Sequence, residues 1–255
     1  MDYTSVTLLL GFAAWGAIVG AVVGFTAIGI GLLGTPGLIV LFGMDPVLAV
    51  GTMTVGGFVM MLSGSVQHYR AGNVVVPIAL MFLITAVPLS YLTARHARAI
   101  NALISLKTVM GVVILLSVIL LFYRYVIMRS PPRQLTLSRW KLWLSPVLGA
   151  VLGILIGATS ISGSILIIAC ILVLKLPSLH AVGTTSAVAT VSLLIAALAH
   201  MQQGNIAWMA LSGLLPGVLA GAAIGAHFAS RVPRQVLRIA ILVILLAAGA
   251  MLVFG

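Results

Sequence analysis

The sequence predicts an all-α polytopic integral membrane protein built from two inverted repeats. Three observations carry that expectation. Hydrophobic residues make up 62% of the 255-residue chain and charged residues only 6%, against about 25% charged in a soluble domain. Such a chain cannot coat itself with a polar surface, so its solvent is lipid. Ala49-Val50-Gly51-Thr52 recurs 132 residues later as Ala181-Val182-Gly183-Thr184. The same offset carries His68, Gly72 and Asn73 to His200, Gly204 and Asn205. Each copy therefore reads A-V-G-T, fifteen residues, H-x-x-x-G-N, without a gap, which marks a duplicated unit.

Apolar runs divide each half into five segments, at 6–26, 28–43, 47–66, 74–94 and 102–126, then 142–159, 164–176, 180–200, 206–228 and 236–254. Most approach the ~20 residues that a helix needs to cross the hydrocarbon core, giving eight to ten membrane segments. The first opens on Met1-Asp2-Tyr3, without a basic n-region or a clear cleavage signal. It reads as a membrane segment, not a signal peptide. The second segment of each half is short and broken. One opens on Gly29-Ile30-Gly31 and holds Gly34 and Pro36; the other opens on Ser160-Ile161-Ser162-Gly163-Ser164. Short interrupted segments at matching positions are the sign of discontinuous helices around a transport site. Gly149, Gly153 and Gly157, like Gly217, Gly221 and Gly225, form stripes expected to pack inside the bundle, with homodimerisation as the lesser option.

The chain parses as an N-terminal transmembrane repeat (1–126), a basic linker (127–141) and a C-terminal transmembrane repeat (142–255). The linker holds Pro131 and Pro132, which stop a helix, among Arg129, Arg133, Arg139 and Lys141. Its charge places it in the cytoplasm. If all five segments of each half cross, the halves are inverted. Ten Lys/Arg then lie inside, and only Arg95, Arg98 and Lys107 outside. If the short segments are re-entrant, the halves become parallel and the split is six inside and seven outside. The positive-inside rule favours inversion. Its weak point is length, since 13 helical residues cover only about 20 Å.

Thirteen Lys/Arg against two acids give a net charge of +11. The charges sit in gaps between apolar runs, which points to membrane orientation and not to nucleic acid. Cys170 is the only cysteine, so no intrachain disulfide or cysteine-rich metal site can form, and it reads as buried packing. There is no paired carboxylate, helical histidine pair, P-loop or G-x-S-x-G. No catalytic residue, metal site or cofactor is expected.

An anion crossing lipid needs donors that replace its water shell. Helix starts offer free N–H groups with partial positive charge, glycine lets a ligand reach the backbone, and hydroxyls add donors. The expected substrate-binding set is Gly29, Gly31, Gly51 and Thr52 from the first half. The second half adds Ser162, Gly163, Ser164, Gly183, Thr184, Thr185 and Ser186. Taken singly, each reads first as packing; taken as a pair of facing breaks, they read as a site. His68 and His200 are expected as helix C-terminal caps, with gating or proton relay as the second reading. Asn73 and Asn205 should shape a turn or cap the next helix. Asp45, before Pro46, should be a turn or N-cap residue. Lys175 should reach the interface.

These paired motifs resemble those of the sulfite exporter TauE/SafE group, within the 4-toluene-sulfonate uptake permease (TSUP) family. The matching residues are Gly29, Gly31 and Pro36, then Ala49 to Thr52, His68 to Asn73, Ala181 to Thr184 and His200 to Asn205. The resemblance covers nearly the whole chain. Three departures stand out: Ile30 inside the glycine motif, Met53 where the family has Ser, and a second-half glycine stretch reduced to Ser160, Ser162, Gly163 and Ser164. What the resemblance implies is a permease or exporter for small sulfur-containing anions such as sulfite or organosulfonates. The expected setting is a prokaryotic inner membrane, and the expected partners are that anion, lipid and a coupling ion, H⁺ or Na⁺. An anion channel and a non-transporting membrane scaffold are the alternatives.

Overall fold

The computed structural model describes residues 6–26, 29–123, 138–162, 164–228 and 234–254. The central part of the linker, 124–137, and Gly163 lie outside the described residues. Eleven helices follow in order: α1 (Val6–Thr26), α2 (Gly31–Val40), α3 (Pro46–Arg70), α4 (Val76–Arg95), α5 (Ala97–Leu103), α6 (Leu106–Phe122), α7 (Arg139–Thr159), α8 (Ser164–Leu172), α9 (Ser178–Gln202), α10 (Trp208–Phe228) and α11 (Arg234–Phe254). No strand occurs among the described residues. The ten expected segments all appear, with α7 starting inside the stretch assigned to the linker. The fifth segment is preceded by a turn-like helix, α5, which meets α6 at 88°.

Six helices (α1, α3, α4, α7, α9 and α10) are each long and apolar enough to cross a membrane, and the bent α5–α6 pair makes a seventh such unit. Their outer faces carry bare apolar side chains, among them Leu10, Ile18, Leu80, Ile84 and Val151, as a lipid-facing surface does. α2 and α8 have 10 and 9 residues, about half a crossing at 1.5 Å per residue.

The two glycine stripes are used inside the chain. α1 runs parallel to α10. A Cβ on Gly217, Gly221 or Gly225 would come within 2.2 Å of the Ala13, Ala17 or Ala21 carbonyl oxygen, and Gly16, Gly20 and Gly24 press back on α10 in the same manner. α4 runs parallel to α7, where Gly149, Gly153 and Gly157 abut the Phe82, Ala86 and Ser90 carbonyls. Backbones can approach this closely only where no side chain intervenes. The expected packing role holds, and both stripes are filled by the chain itself. α4 thus packs with α7 and α9, and α10 with α1. Each repeat lends its fourth helix to the other, so the two buried cores each mix both halves.

The duplicated motifs lock the halves to each other. His68-x-x-x-Gly72-Asn73 is the C-terminal stop of α3. The Asn73 N–H bonds the His68 carbonyl at 2.9 Å, the Gly72 N–H bonds Tyr69 at 3.0 Å, and Gly72 takes φ +69. α9 ends in the same way through His200, Gly204 (φ +65) and Asn205. This Schellman geometry requires glycine at the left-handed position, which explains the G-N spacing. The A-V-G-T motif of the other half docks on each turn. A Cβ on Gly51 would lie 1.9 Å from the Asn205 carbonyl oxygen, and one on Gly183 would lie 2.5 Å from that of Asn73. Beside them, Thr52 Oγ1 accepts the Ala207 N–H and Thr184 Oγ1 accepts the Val75 N–H, both at 2.9 Å. The start of α3 therefore meets the end of α9, and the start of α9 meets the end of α3. These equivalent helices run antiparallel.

Local geometry repeats elsewhere. The Met44 N–H bonds the Leu38 carbonyl as Leu176 bonds Cys170. Gly43 has φ +60, and its counterpart Lys175, exposed at the same turn, φ +53. Asp45 caps α3 as expected, Oδ1 accepting from Val47 and Leu48 at 3.0 and 3.1 Å, with Pro46 at the favoured first position.

Two predictions follow from this packing. Gly221→Leu, which drives a side chain into the Ala17 carbonyl, should abolish monodisperse protein in detergent; Gly64→Ala, with nothing within 4 Å of the added Cβ, should keep full yield. Thr184→Val leaves the buried Val75 N–H without its acceptor and should cost about 1–3 kcal/mol, read as a lower Tm in nanodiscs; Thr184→Ser should restore most of it.

Candidate functional site

The interrupted helices bring their breaks together. α2 starts at Gly31 without a side-chain N-cap, and a Cβ there would lie 2.2 Å from the Ser160 carbonyl oxygen. Ser160 ends α7 in the left-handed region (φ 58). Its hydroxyl donates to the Thr159 carbonyl at 2.6 Å, so Thr35 Oγ1, also 2.6 Å away, is the donor to Ser160 Oγ. Both residues are fully buried. Ile30, at the same break, packs on Gly57 of α3 and approaches Gly56. The junction therefore sits halfway along α3, near the middle of the bundle.

A cavity of about 150 Å³ lies against this junction. Ile30, Met60 and Ile167 give it apolar walls, and His68, Thr185 and Ser186 supply its polar groups. Thr185 is buried and donates to the Val182 carbonyl at 3.1 Å, while Ser186 and His68 are half-buried. The volume is well above the ~10–15 Å³ that one water needs. The cavity lies toward the end of the bundle where α3 finishes and α9 begins. Arg70 lies at that end, as does Lys175 in the turn before α9, both exposed. Arg139 opens α7, which runs from the same end. Arg95, Arg98 and Lys107 lie at the opposite end.

The expected site residues divide into three groups. Thr185 and Ser186 line the cavity. Gly29 and Gly31 are buried at the α2 break, and Ser162 is buried just past Ser160. Gly163 and the side chain of Ser164 lie outside the described residues. Gly51, Thr52, Gly183 and Thr184 do not line this cavity. Their glycines are spent on the close approach to the Asn turns, and their hydroxyls on capping the next helix of the other half.

Neither histidine caps its own helix through its side chain. His68 lines the cavity, its Nδ1 3.5 Å from Asn73 Nδ2. His200 is buried, with Nε2 3.1 Å from the Gly157 carbonyl of α7. It is the backbone of each histidine, not its ring, that completes the C-terminal motif. Thr35 and Ser160 were not expected as site residues; the signal for Thr35 was a lone hydroxyl before Pro36 inside the first break. Among the described residues, no group of three or more His, Cys, Asp or Glu is placed to hold a metal ion. Cys170 is free and buried, as expected.

No solved structure matches the chain. Two proteins of Bacillus subtilis (strain 168) do. "Probable membrane transporter protein YjnA" is 30% identical over 251 residues, covering 93% of this chain and 97% of its own length. "Probable membrane transporter protein YdhB" is 29% identical over 219 residues, covering 85% and 89%. The family described as sulfite exporter TauE/SafE matches residues 12–252. With that match spanning nearly all of a helical bundle whose interrupted helices meet beside a central cavity, the chain belongs to the sulfite exporter TauE/SafE family and is a membrane transporter.

Proposed function

We propose that this transporter moves a small sulfur-containing anion, sulfite or an organosulfonate, across a prokaryotic inner membrane by alternating access between two inverted repeats. The observation that carries this reading is the meeting of the two helix breaks, Thr35 against Ser160, beside a cavity whose polar groups are His68, Thr185 and Ser186. Antiparallel packing of the equivalent helices α3 and α9 supports inversion. Arg70, Arg139 and Lys175 share the end of the linker, so the cavity mouth is assigned to the cytoplasm.

A desolvated oxyanion needs hydrogen-bond donors more than a full countercharge. The Ser186 hydroxyl offers one in the cavity, and the Thr185 hydroxyl offers a second by turning from the Val182 carbonyl that it meets here, with Gly29, Gly31 and Ser162 buried at the breaks. Asp45 is committed as an N-cap, so proton coupling would fall to His68 in the cavity; Na⁺ would rest on carbonyls and hydroxyls. An inside-negative potential favours anion export by about 2.3 kcal/mol per charge per 100 mV.

The test is flux in proteoliposomes with sulfite, sulfate, thiosulfate, sulfoacetate and taurine. Saturable uptake with counterflow is expected for at least one; unitary currents without counterflow would replace the transporter by a channel, and no flux of any anion would favour a scaffold. Thr185→Val combined with Ser186→Ala should lower kcat/KM by at least about tenfold, since each hydrogen bond to a charged group is worth about 1.5–3 kcal/mol. Parent-like flux in that double variant would remove these hydroxyls from the site.

A further inference from the structure

Each residue lining the cavity has a counterpart 132 positions away, and along α3 and the first turns of α9 the lining residues are the more exposed of each pair, while Ile30, Ile167, Thr185 and Ala189 are buried in both copies. Met60, Gly64 and His68 share one face of α3 and are partly exposed in the cavity. Their counterparts Ser192, Ala196 and His200 share one face of α9 and are fully buried. Ser186 is half-buried and its counterpart Thr54 is fully buried; so too for Val182 and Val50. The packing is equally lopsided. α9 lies tightly along α4, whereas the equivalent pair, α3 and α10, touches little. Met53, the counterpart of Thr185, drives its Sδ and Cε onto Gly34 and fills space on the closed side.

The closed side is nevertheless polar. Thr35, Thr54, Ser192 and His200 are all fully buried there. Ser192 Oγ, His200 Nδ1 and the Nδ2 of Asn205 have no hydrogen-bond partner. Buried polar atoms are almost always paired; these three lie in the second half of α9 and the turn after it, and His180 Nδ1 at the opposite end of α9 is a fourth, so the helix carries polar atoms free to meet water at both ends. Beside the α4–α9 packing, His200 Nε2 donates to the Gly157 carbonyl of α7 on this side. By the repeat, His68 would make the same contact with the Phe25 carbonyl of α1. Among the described residues it does not, and meets Asn73 of its own turn instead.

We propose that the buried face formed by Thr35, Thr54, Ser192 and His200 is a second anion vestibule, occluded here, which opens to the opposite membrane face when His200 releases Gly157 and His68 takes up Phe25. The two histidines act as alternating latches. The vestibule takes the same small oxyanion as the open cavity, presenting the Ser192 hydroxyl and the His200 imidazole where the open side presents Met60 and His68, with Thr35 and Thr54, whose hydroxyls donate to Ser160 and Val50 here, as its polar walls. This rests on the alternating-access reading above.

Single-thiol accessibility tests it. In a Cys170→Ala background, Met60→Cys and Ser192→Cys are each exposed to a charged, membrane-impermeant methanethiosulfonate from either membrane face. Met60→Cys should react only from the face bearing Arg70, and Ser192→Cys only from the face bearing Arg95. Adding His200→Ala should speed labelling of Ser192→Cys several-fold and slow that of Met60→Cys; His200→Gln, which can still donate to Gly157, should stay near the parent. Ser192→Cys that stays unreactive from both faces, or reacts from the Arg70 face, overturns the proposal. Should His200→Ala fail to accumulate, the face from which Ser192→Cys reacts in the parent decides alone. Anion flux with a silent Ser192→Cys sinks only this vestibule; opposite-face labelling without flux of any tested anion sinks the transport reading instead.

Discussion

Everything in this bundle hangs on a contact made twice: the first turn of α3 against the turn that ends α9, and the first turn of α9 against the turn that ends α3. Each contact couples a carbonyl-on-glycine approach to a threonine hydroxyl that caps the following helix. Buried in protein, these helix starts have little water to satisfy them, so an N–H left bare costs more than it would at an exposed surface. The chain meets that demand with a side chain from the other repeat. Fold and pairing are thereby one problem, because neither α4 nor α10 is capped until the two halves have docked.

The docking also fixes where the short helices can go. With α3 and α9 antiparallel, and α1 and α7 held to α10 and α4 by glycine stripes, α2 and α8 have room for only half a crossing each. Their irregular starts fall in the middle of the bundle, shielded by protein, which is the condition under which broken backbone is tolerated at that depth. Gly31 against Ser160, and Thr35 against Ser160, are therefore consequences of the outer frame. The frame repeats closely between halves; the middle does not, with Thr35 opposed by Ile167 and Met53 by Thr185.

Much of this was legible in the sequence. Composition fixed the solvent, the 132-residue offset fixed the duplication, and the ten apolar runs predicted every helix but α5 to within about four residues at each end. Asp45, Cys170 and the glycine stripes were read correctly, because each depends on local chemistry. What could not be read was the meaning of the repeated motif. A-V-G-T reads as a ligand site when its partner is unknown, since small residues and hydroxyls suit an anion and a helix turn alike. Only the fold brings Thr52 to Ala207, 155 positions on. The histidines were misread for a related reason: the stop signal lies in the backbone at His68 and His200 and in Gly72 and Gly204, which leaves both rings free to face the interior. Thr35 and the α5 bend had no repeat signal to raise them above background.

A symmetric frame around an asymmetric centre is what the proposed alternating access would require of a single chain. If both halves adopted the same local conformation, the paths on the two sides would be open or closed together, and the anion would either leak or never move. Duplication supplies two nearly equivalent conformations, and the differences between the copies keep them from being occupied at once. Here those differences concentrate where α3 and α9 line the interior. His200 is held by Gly157 while His68 stands in the cavity, and Met53 fills space where Thr185 leaves it. In the proposed exchange the locked turns at both ends of α3 and α9 need not break, because their backbone bonds and threonine caps are alike in both halves while the contacts that differ are made by side chains facing the interior. The interaction that holds the fold together is thus separable from the one proposed to move it.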